Sequence, residues 1–148
     1  MTKNELPIFQ LIYTSTLDTD VPGNLRNILD SSMRNNQRNG ITGVFLYSDG
    51  NVMQVLEGQK DSVLRTFSVI KSDVRHTNIF VLLQQDVARR QFASWSMGFA
   101  NLTKDALNEF PTVADVFGSH QDASTTQRRA KSALAILNSF AEGAIPIG

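Results

Sequence analysis

Apolar and polar positions along this chain follow two periods. Phe9, Leu11 and Tyr13 alternate with Gln10, Ile12 and Thr14, which predicts a first strand over 8–13. Pro22 and Gly23 mark a turn. Leu25, Ile28, Leu29, Ser32 and Asn36 then recur at spacings of three and four, predicting a helix over about 22–37 that ends at Gly40. ITGVFLYSDGNVMQVLEG restores strand character, with strands at 41–47 and 52–57 around Ser48-Asp49-Gly50-Asn51, whose Asp-Gly pair is a strong hairpin signal. Asp61 or Ser62 is placed to cap a second helix, in which Val63, Leu64, Phe67 and Ile70 form an apolar stripe ending near Asp73. Ile79 to Leu83 shows little alternation and predicts a strand covered on both faces. Residues 84–90 read as a connection and SWSMGF, 94–99, as a short strand.

The order strand, helix, strand, strand, helix, strand, strand is the ferredoxin-like α+β plan with one added strand, two helices lying on one sheet face. Beyond Asn101 the pattern changes. Pro111, Thr112 and Asp115 give a capping box for a short helix stopped by Gly118, and Ala130, Ala133, Leu134, Leu137 and Phe140 give a last amphipathic helix. The expected organisation is therefore a domain over 1–100 and a helical extension over 101–148, which covers the second sheet face or serves a partner.

Composition narrows the function classes. The 148 residues suit one domain with a short appendage; fourteen basic residues balance fourteen acidic ones, and there is no cysteine. A net charge of zero provides no field to attract nucleic acid or an acidic membrane surface. No segment approaches the length of an apolar membrane span, and the first residues lack the form of a signal peptide, so a cytoplasmic protein is expected. His76 and His120 are the only histidines. Without a thiol or a recognisable carboxylate pair, metal and hydrolase chemistry lack their players, and an enzyme is the weakest expectation. Gly40 and Gly43 read as a helix terminus and a close-packed strand position rather than a phosphate loop.

One residue breaks the apolar pattern where it matters. In NVMQVLEG, Gln54 shares a strand face with Val52 and Leu56, so its two-donor amide points where a core is expected. Tyr13, at the end of the first strand with Ser15 two residues on, is by itself an ordinary core-edge aromatic. In a ferredoxin-like sheet, however, the first and third strands are neighbours. Asn36 continues the apolar helix face, either as a cap of a frayed last turn or as the rim of a polar slot. Tyr13, Gln54 and Asn36, with Ile28, Leu29 and Phe67 as walls, suit a flat heteroaromatic bearing imide-like donors and acceptors; Arg75 and His76 are placed to meet its far edge.

IYTS at 12–15, RNNQRNGITGVFLY at 34–47, GNVMQVLEG at 50–58, DVRHTN at 73–78 and RRQFASWSMGF at 89–99 together resemble the BLUF family of flavin-binding blue-light sensors. The resemblance covers about residues 8–100. It implies a ferredoxin-like BLUF sandwich, a five-stranded mixed sheet with two helices on one face and a C-terminal helical cap on the other. It implies FAD, with FMN less favoured, held between the two helices. By the same resemblance Tyr13 matches the redox-active tyrosine, Gln54 the glutamine between it and the flavin, Asn36 the asparagine on the O4 and N3 side and Arg75 the position near O2. Asn35 is a neighbouring ring-fixing position, with Ser32 on the same helix. Trp95 and Met97 match the final-strand pair linked to signal output, and Ser15 is grouped with them.

The implied chemistry is photochemical. Tyr13 donates an electron with proton movement through Gln54, the pair recombines, and Gln54 is left rotated, changed in tautomer, or both, in a red-shifted state that decays in darkness. The resemblance further implies a short stand-alone sensor that self-associates and binds another protein. Two rivals remain at this level: a photochemically silent flavin- or protein-binding module of the same fold, and an RNA-binding ferredoxin-like domain, which the neutral charge disfavours.

Overall fold

In the computed structural model, which describes residues 7–18, 20, 22–93, 97–101 and 135, the chain runs β1 (Ile8–Leu17), α1 (Asn24–Asn39), β2 (Thr42–Ser48), β3 (Asn51–Gly58), α2 (Lys60–Ser72), β4 (His76–Val87) and β5 (Gly98–Asn101). The strands form one sheet in the order β4-β1-β3-β2-β5. β1 is antiparallel to β3 and β4, β2 is antiparallel to β3, and β5 joins parallel to β2. Each helix thus links two parallel strands with a third between them, and the right-handed rule for such crossovers lays both helices on one face. The ferredoxin-like α+β plan with an added strand, read from the pattern of elements, is the observed one.

Period-two alternation decides what each face carries. Phe9, Leu11 and Tyr13 of β1, Phe45 of β2 and Val52 and Leu56 of β3 meet Ile28 of α1 and Val63 and Phe67 of α2 in one core. Ile12, Val44, Leu46, Met53 and Val55 alternate with them and are also fully buried, so both faces of the central strands are closed. The expected helical cap over 101–148 lies outside the described residues, Asn101 and Ala135 apart.

The hairpin forms where the Asp-Gly pair placed it. Asp49 and Gly50 both take positive φ, 45° and 87°, and Ser48 pairs with Asn51 across a two-residue loop. α1 closes on Gly40 in the left-handed conformation, and the Asn36 carbonyl accepts the backbone N–H groups of both Gly40 and Ile41. The last turn that carries Asn36 is therefore fixed rather than frayed.

Several boundaries differ from the sequence expectation. α1 spans Asn24–Asn39 rather than 22–37, because Gly23 and not Pro22 is its cap residue. α2 begins at Lys60 behind Gln59, which puts Asp61 in the first turn, favourable to the helix dipole, instead of at the cap. β4 extends to Val87, so the predicted connection over 84–90 is largely strand, and Ile79, Phe80, Val81 and Leu83 are half-buried rather than covered on both faces. The reason is topological: among the described residues β4 is an edge strand, paired only with β1, and tolerates polar Gln84, Gln85 and Asp86. The last strand is Gly98–Asn101 and not 94–99; Met97 immediately precedes it, and Trp95 lies outside the described residues.

A buried carboxyl group ties the entry to β5 onto the sheet. Glu57 accepts hydrogen bonds from Gln10 Nε2 at 3.0 Å, Gln91 N at 2.9 Å and Phe92 N at 2.8 Å. Arg90 adds donors to the carbonyl oxygens of Gly40 at 2.7 Å and Glu57 at 3.0 Å. The segment after β4 is thereby held to the end of β3 and to the C-terminus of α1.

Gly43 shows how closely the sheet is packed. A Cβ there would stand 1.9 Å from the Val55 carbonyl oxygen, a backbone atom that cannot swing aside. Gly43→Ala is expected to destabilise the fold by about 1–3 kcal/mol, as overpacking does. Urea unfolding, with the slope unchanged and the midpoint lowered, checks it.

Candidate functional site between the two helices

β1 and β3 bring Tyr13 and Gln54 together because the two are direct partners in the antiparallel register. Both are enclosed, at 0% and 2% exposure. The Tyr13 hydroxyl donates to Gln54 Oε1, and the amide's other end, Nε2, donates to Met97 Sδ at 3.4 Å. The Phe67 ring lies 5.2 Å from that of Tyr13, tilted by 47°. Burial, seconded by the negative charge of Asp73, pushes the Tyr13 phenol above its ordinary range. It is a neutral, protonated donor at any physiological pH.

The two ends of the Gln54 amide have unequal partners. A phenol can donate or accept, whereas a thioether sulfur only accepts, and weakly. With Oε1 toward Tyr13 both ends are satisfied within the protein. Reversed, the amide would face Oε1 to the sulfur, two acceptors together, and that arrangement requires a donor from elsewhere.

Beside Gln54 a cleft of about 230 Å3 opens between the helices, lined by Ser32, Asn35, Asn36 and Asn39 of α1 and Thr66, Val69 and Ile70 of α2. Its character follows from helical spacing: Ser32, Asn35, Asn36 and Asn39 stand three and four apart on one face, as do Thr66, Val69 and Ile70. The volume falls just below the roughly 300–1,000 Å3 of pockets that enclose a drug-sized ligand. It fits a flat ring system, with any tail lying outside. Carboxamides and hydroxyls on one side and Val69 and Ile70 on the other match a heteroaromatic with alternating donors and acceptors. Thr66 Oγ1, buried in this wall, has no hydrogen-bond partner. On these grounds the residues present fit a flavin ring.

Other expected site residues lie elsewhere. Ile28 and Phe67 belong to the core beneath the cleft, and Leu29 packs against it. Arg75 is engaged by Asp73, with Nη2 2.6 Å from Oδ2 and Nε 2.9 Å from Oδ1; the pairing holds the Asp73 carboxyl below and the Arg75 guanidinium above their ordinary ranges. His76 opens β4 and places Nδ1 2.9 Å from Ser15 Oγ. Neither Arg75 nor His76 lines the cleft. Asn39, Thr66, Val69 and Ile70 were not among the expected site residues. Their signal was available: Asn39 is three residues beyond Asn36, and Thr66 interrupts the apolar stripe between Val63 and Ile70.

Among the described residues no helix is long and apolar enough to cross a membrane, and no cluster of side chains is arranged to hold a metal ion.

Comparison with known proteins gives a concordant picture. The family model BLUF, described as sensors of blue-light using FAD, matches residues 8–98. The photoactivated adenylate cyclase subunit beta of Euglena longa is 33% identical over 93 residues, 62% of this chain and 11% of that protein. The chain thus spans only about a tenth of the curated relative it matches. The photo-activated state of BlsA superposes with a TM-score of 0.73 at 28% identity, covering 90% of this chain and 94% of BlsA. The dark-state structure of BlrB, a BLUF protein, gives 0.66 at 25% identity, covering 88% and 98%.

The burial of His76 generates a pH dependence. Burial lowers the His76 pKa from its ordinary 6.5, Asp73 opposes the shift and Arg75 reinforces it. Above 6.5 the ring is neutral whether folded or unfolded, and it adds no slope. As pH falls below 6.5 the unfolded chain takes up the proton first, so stability declines by at most about 1.4 kcal/mol per pH unit until the folded pKa is passed. Melting temperatures from pH 7.5 to 5 are expected to fall in the wild type, and to fall less steeply in His76→Gln.

Proposed function

The chain belongs to the BLUF family of flavin-binding blue-light sensors, a family of sensory rather than catalytic modules, and we propose that Tyr13 and Gln54 are its photoactive pair. The observation that carries this reading is the hydrogen bond from a fully buried phenol to one end of an amide whose other end rests on Met97. A bound flavin supplies blue-light absorption and serves as the electron acceptor. Tyr13 gives up one electron, and its phenolic proton moves along the existing bond to Gln54 Oε1. Both return to Tyr13 when the pair recombines. Gln54 is left reversed, by rotation or as the tautomer in which one Nε2 proton has moved to Oε1, and its new donor and acceptor directions oblige Tyr13 and Met97 to adjust.

Asn35, Asn36 and Ser32 hold the polar edge of the ring, Val69 and Ile70 face it from α2, and Ile28, Leu29 and Phe67 pack beneath. FAD is the cofactor favoured by the family's description. The cleft itself, sized for a ring alone, takes FMN equally. Residues 1–100 form the photosensory domain, and 101–148 an extension for output or self-association. Met97, with Trp95 and Ser15, carries the change toward that surface. A cytoplasmic sensor that self-associates and reversibly binds a protein partner is consistent with a charge balance that offers nucleic acid no attraction.

Purified from a flavin-replete host, the protein is expected to be yellow and to shift its absorption to longer wavelength under blue light, recovering in darkness. Tyr13→Phe should keep the flavin and lose the normal shift, since the ring still packs on Phe67 while the hydroxyl is gone. Gln54→Ala should lose it as well. An unaltered photocycle in either variant sinks the proposed pair, and a chain that cannot be loaded with flavin sinks the whole reading.

A further inference from the structure

Thr66 is the one residue of the cleft whose polar atom is buried yet unpartnered. Its Oγ1 is the only buried side-chain oxygen or nitrogen among the described residues without a hydrogen bond, and it stands in the α2 wall opposite Asn36 and Gln54. A helical threonine normally turns its hydroxyl back to the carbonyl four residues earlier. Thr66 makes no such bond. Two observations therefore meet at one residue: a hydroxyl without a partner, and a position in the wall of a cleft lined by polar groups. Elsewhere in this molecule buried polar groups are paired, as Gln10 with Glu57 and Ser15 with His76 are. An orphan at the cleft marks a bond that the protein leaves to its ligand.

Resting on the flavin reading above, we propose that the Thr66 hydroxyl turns about the Cα–Cβ bond into the cleft when the ring binds and donates a hydrogen bond to an acceptor on its polar edge. It anchors the ring from α2 while the α1 amides hold it from the other side. The ring's position relative to Gln54 is then set from both helices. Val69 and Ile70, on the same wall, can supply only packing.

The test compares full-length wild type, Thr66→Val and Thr66→Ser, each flavin-loaded and flavin-free. Valine keeps the shape and removes the hydroxyl; serine keeps the hydroxyl. Thr66→Val is expected to hold flavin about five-fold more weakly, the scale of one net hydrogen bond. A flavin C=O or C=N stretching band should shift in its infrared spectrum, and Thr66→Ser should return the band to the wild-type position. Without flavin, Thr66→Val should melt no lower than wild type, because an unpartnered hydroxyl has been replaced by a methyl group. Equal affinity with an unmoved band overturns the assignment. So does a flavin-free Thr66→Val that loses stability, since the hydroxyl would then serve the fold. A wild type that takes up no flavin overturns the flavin reading itself and is told apart by that control.

Discussion

The hydrogen bond between Tyr13 and Gln54 constrains everything around it. It exists because β1 and β3 are antiparallel neighbours in a register that sets these two residues opposite one another. It matters because the layer between sheet and helices is dry, where an unpartnered amide or phenol costs about 1–3 kcal/mol. Neither residue is tolerable there without the other. A one-residue slip of β3 would turn Gln54 to the opposite face and set Met53 or Val55 beside Tyr13. The hairpin at Asp49-Gly50 and the tight seat of Gly43 against Val55 hold the β2–β3 ladder against such a slip.

The bond is also asymmetric, and the asymmetry gives it direction. Tyr13 can reverse its role from donor to acceptor, but the Met97 sulfur cannot become a donor. Any reversal of Gln54 is therefore felt at Met97 as a lost contact. What happens next depends on how firmly the chain beyond is held. On one side of Met97, Gln91 and Phe92 are bonded to the buried Glu57; on the other, Gly98 pairs with Val44. Movement provoked at Met97 is confined between those two anchors. The same Glu57 accepts from Gln10, whose own oxygen accepts from Gln85 at 2.8 Å, so the anchor is braced across β1 to β4.

Local patterns made most of this legible. The hairpin turn, the two helices and the polar intruder Gln54 are each written within a few residues, and Asn36 could be placed by counting along one helix face. Edge status was hidden, because it depends on which strand lies outermost; hence the misread length of β4 and the expectation that its centre was covered on both faces. Partner choice was hidden for a similar reason. Arg75 and His76 sit near the right end of α2, but Asp73 is two residues from one and Ser15 is sixty-one from the other, and only the folded register shows that each is already engaged. Nothing local sets Glu57, a charge before Gly58, apart from a solvated residue. Its burial follows from the return of the chain at Gln91, which no local pattern announces.

The cleft has a thermodynamic consequence of its own. Apolar side chains at positions 32, 36 and 66 would let α1 and α2 close over the sheet and extend the core that Ile28 and Phe67 begin. Ser32, Asn36 and Thr66 oppose that closure, and the chain forgoes the burial it would bring. A ring bound there restores contacts and hydrogen bonds together, and it does so only in the folded state. Binding and stability are therefore linked: ligand at a hundred times its Kd adds about 2.7 kcal/mol, a large share of the stability of a typical domain. The features that make the site receptive are the same ones that leave the empty fold less stable than its length would permit.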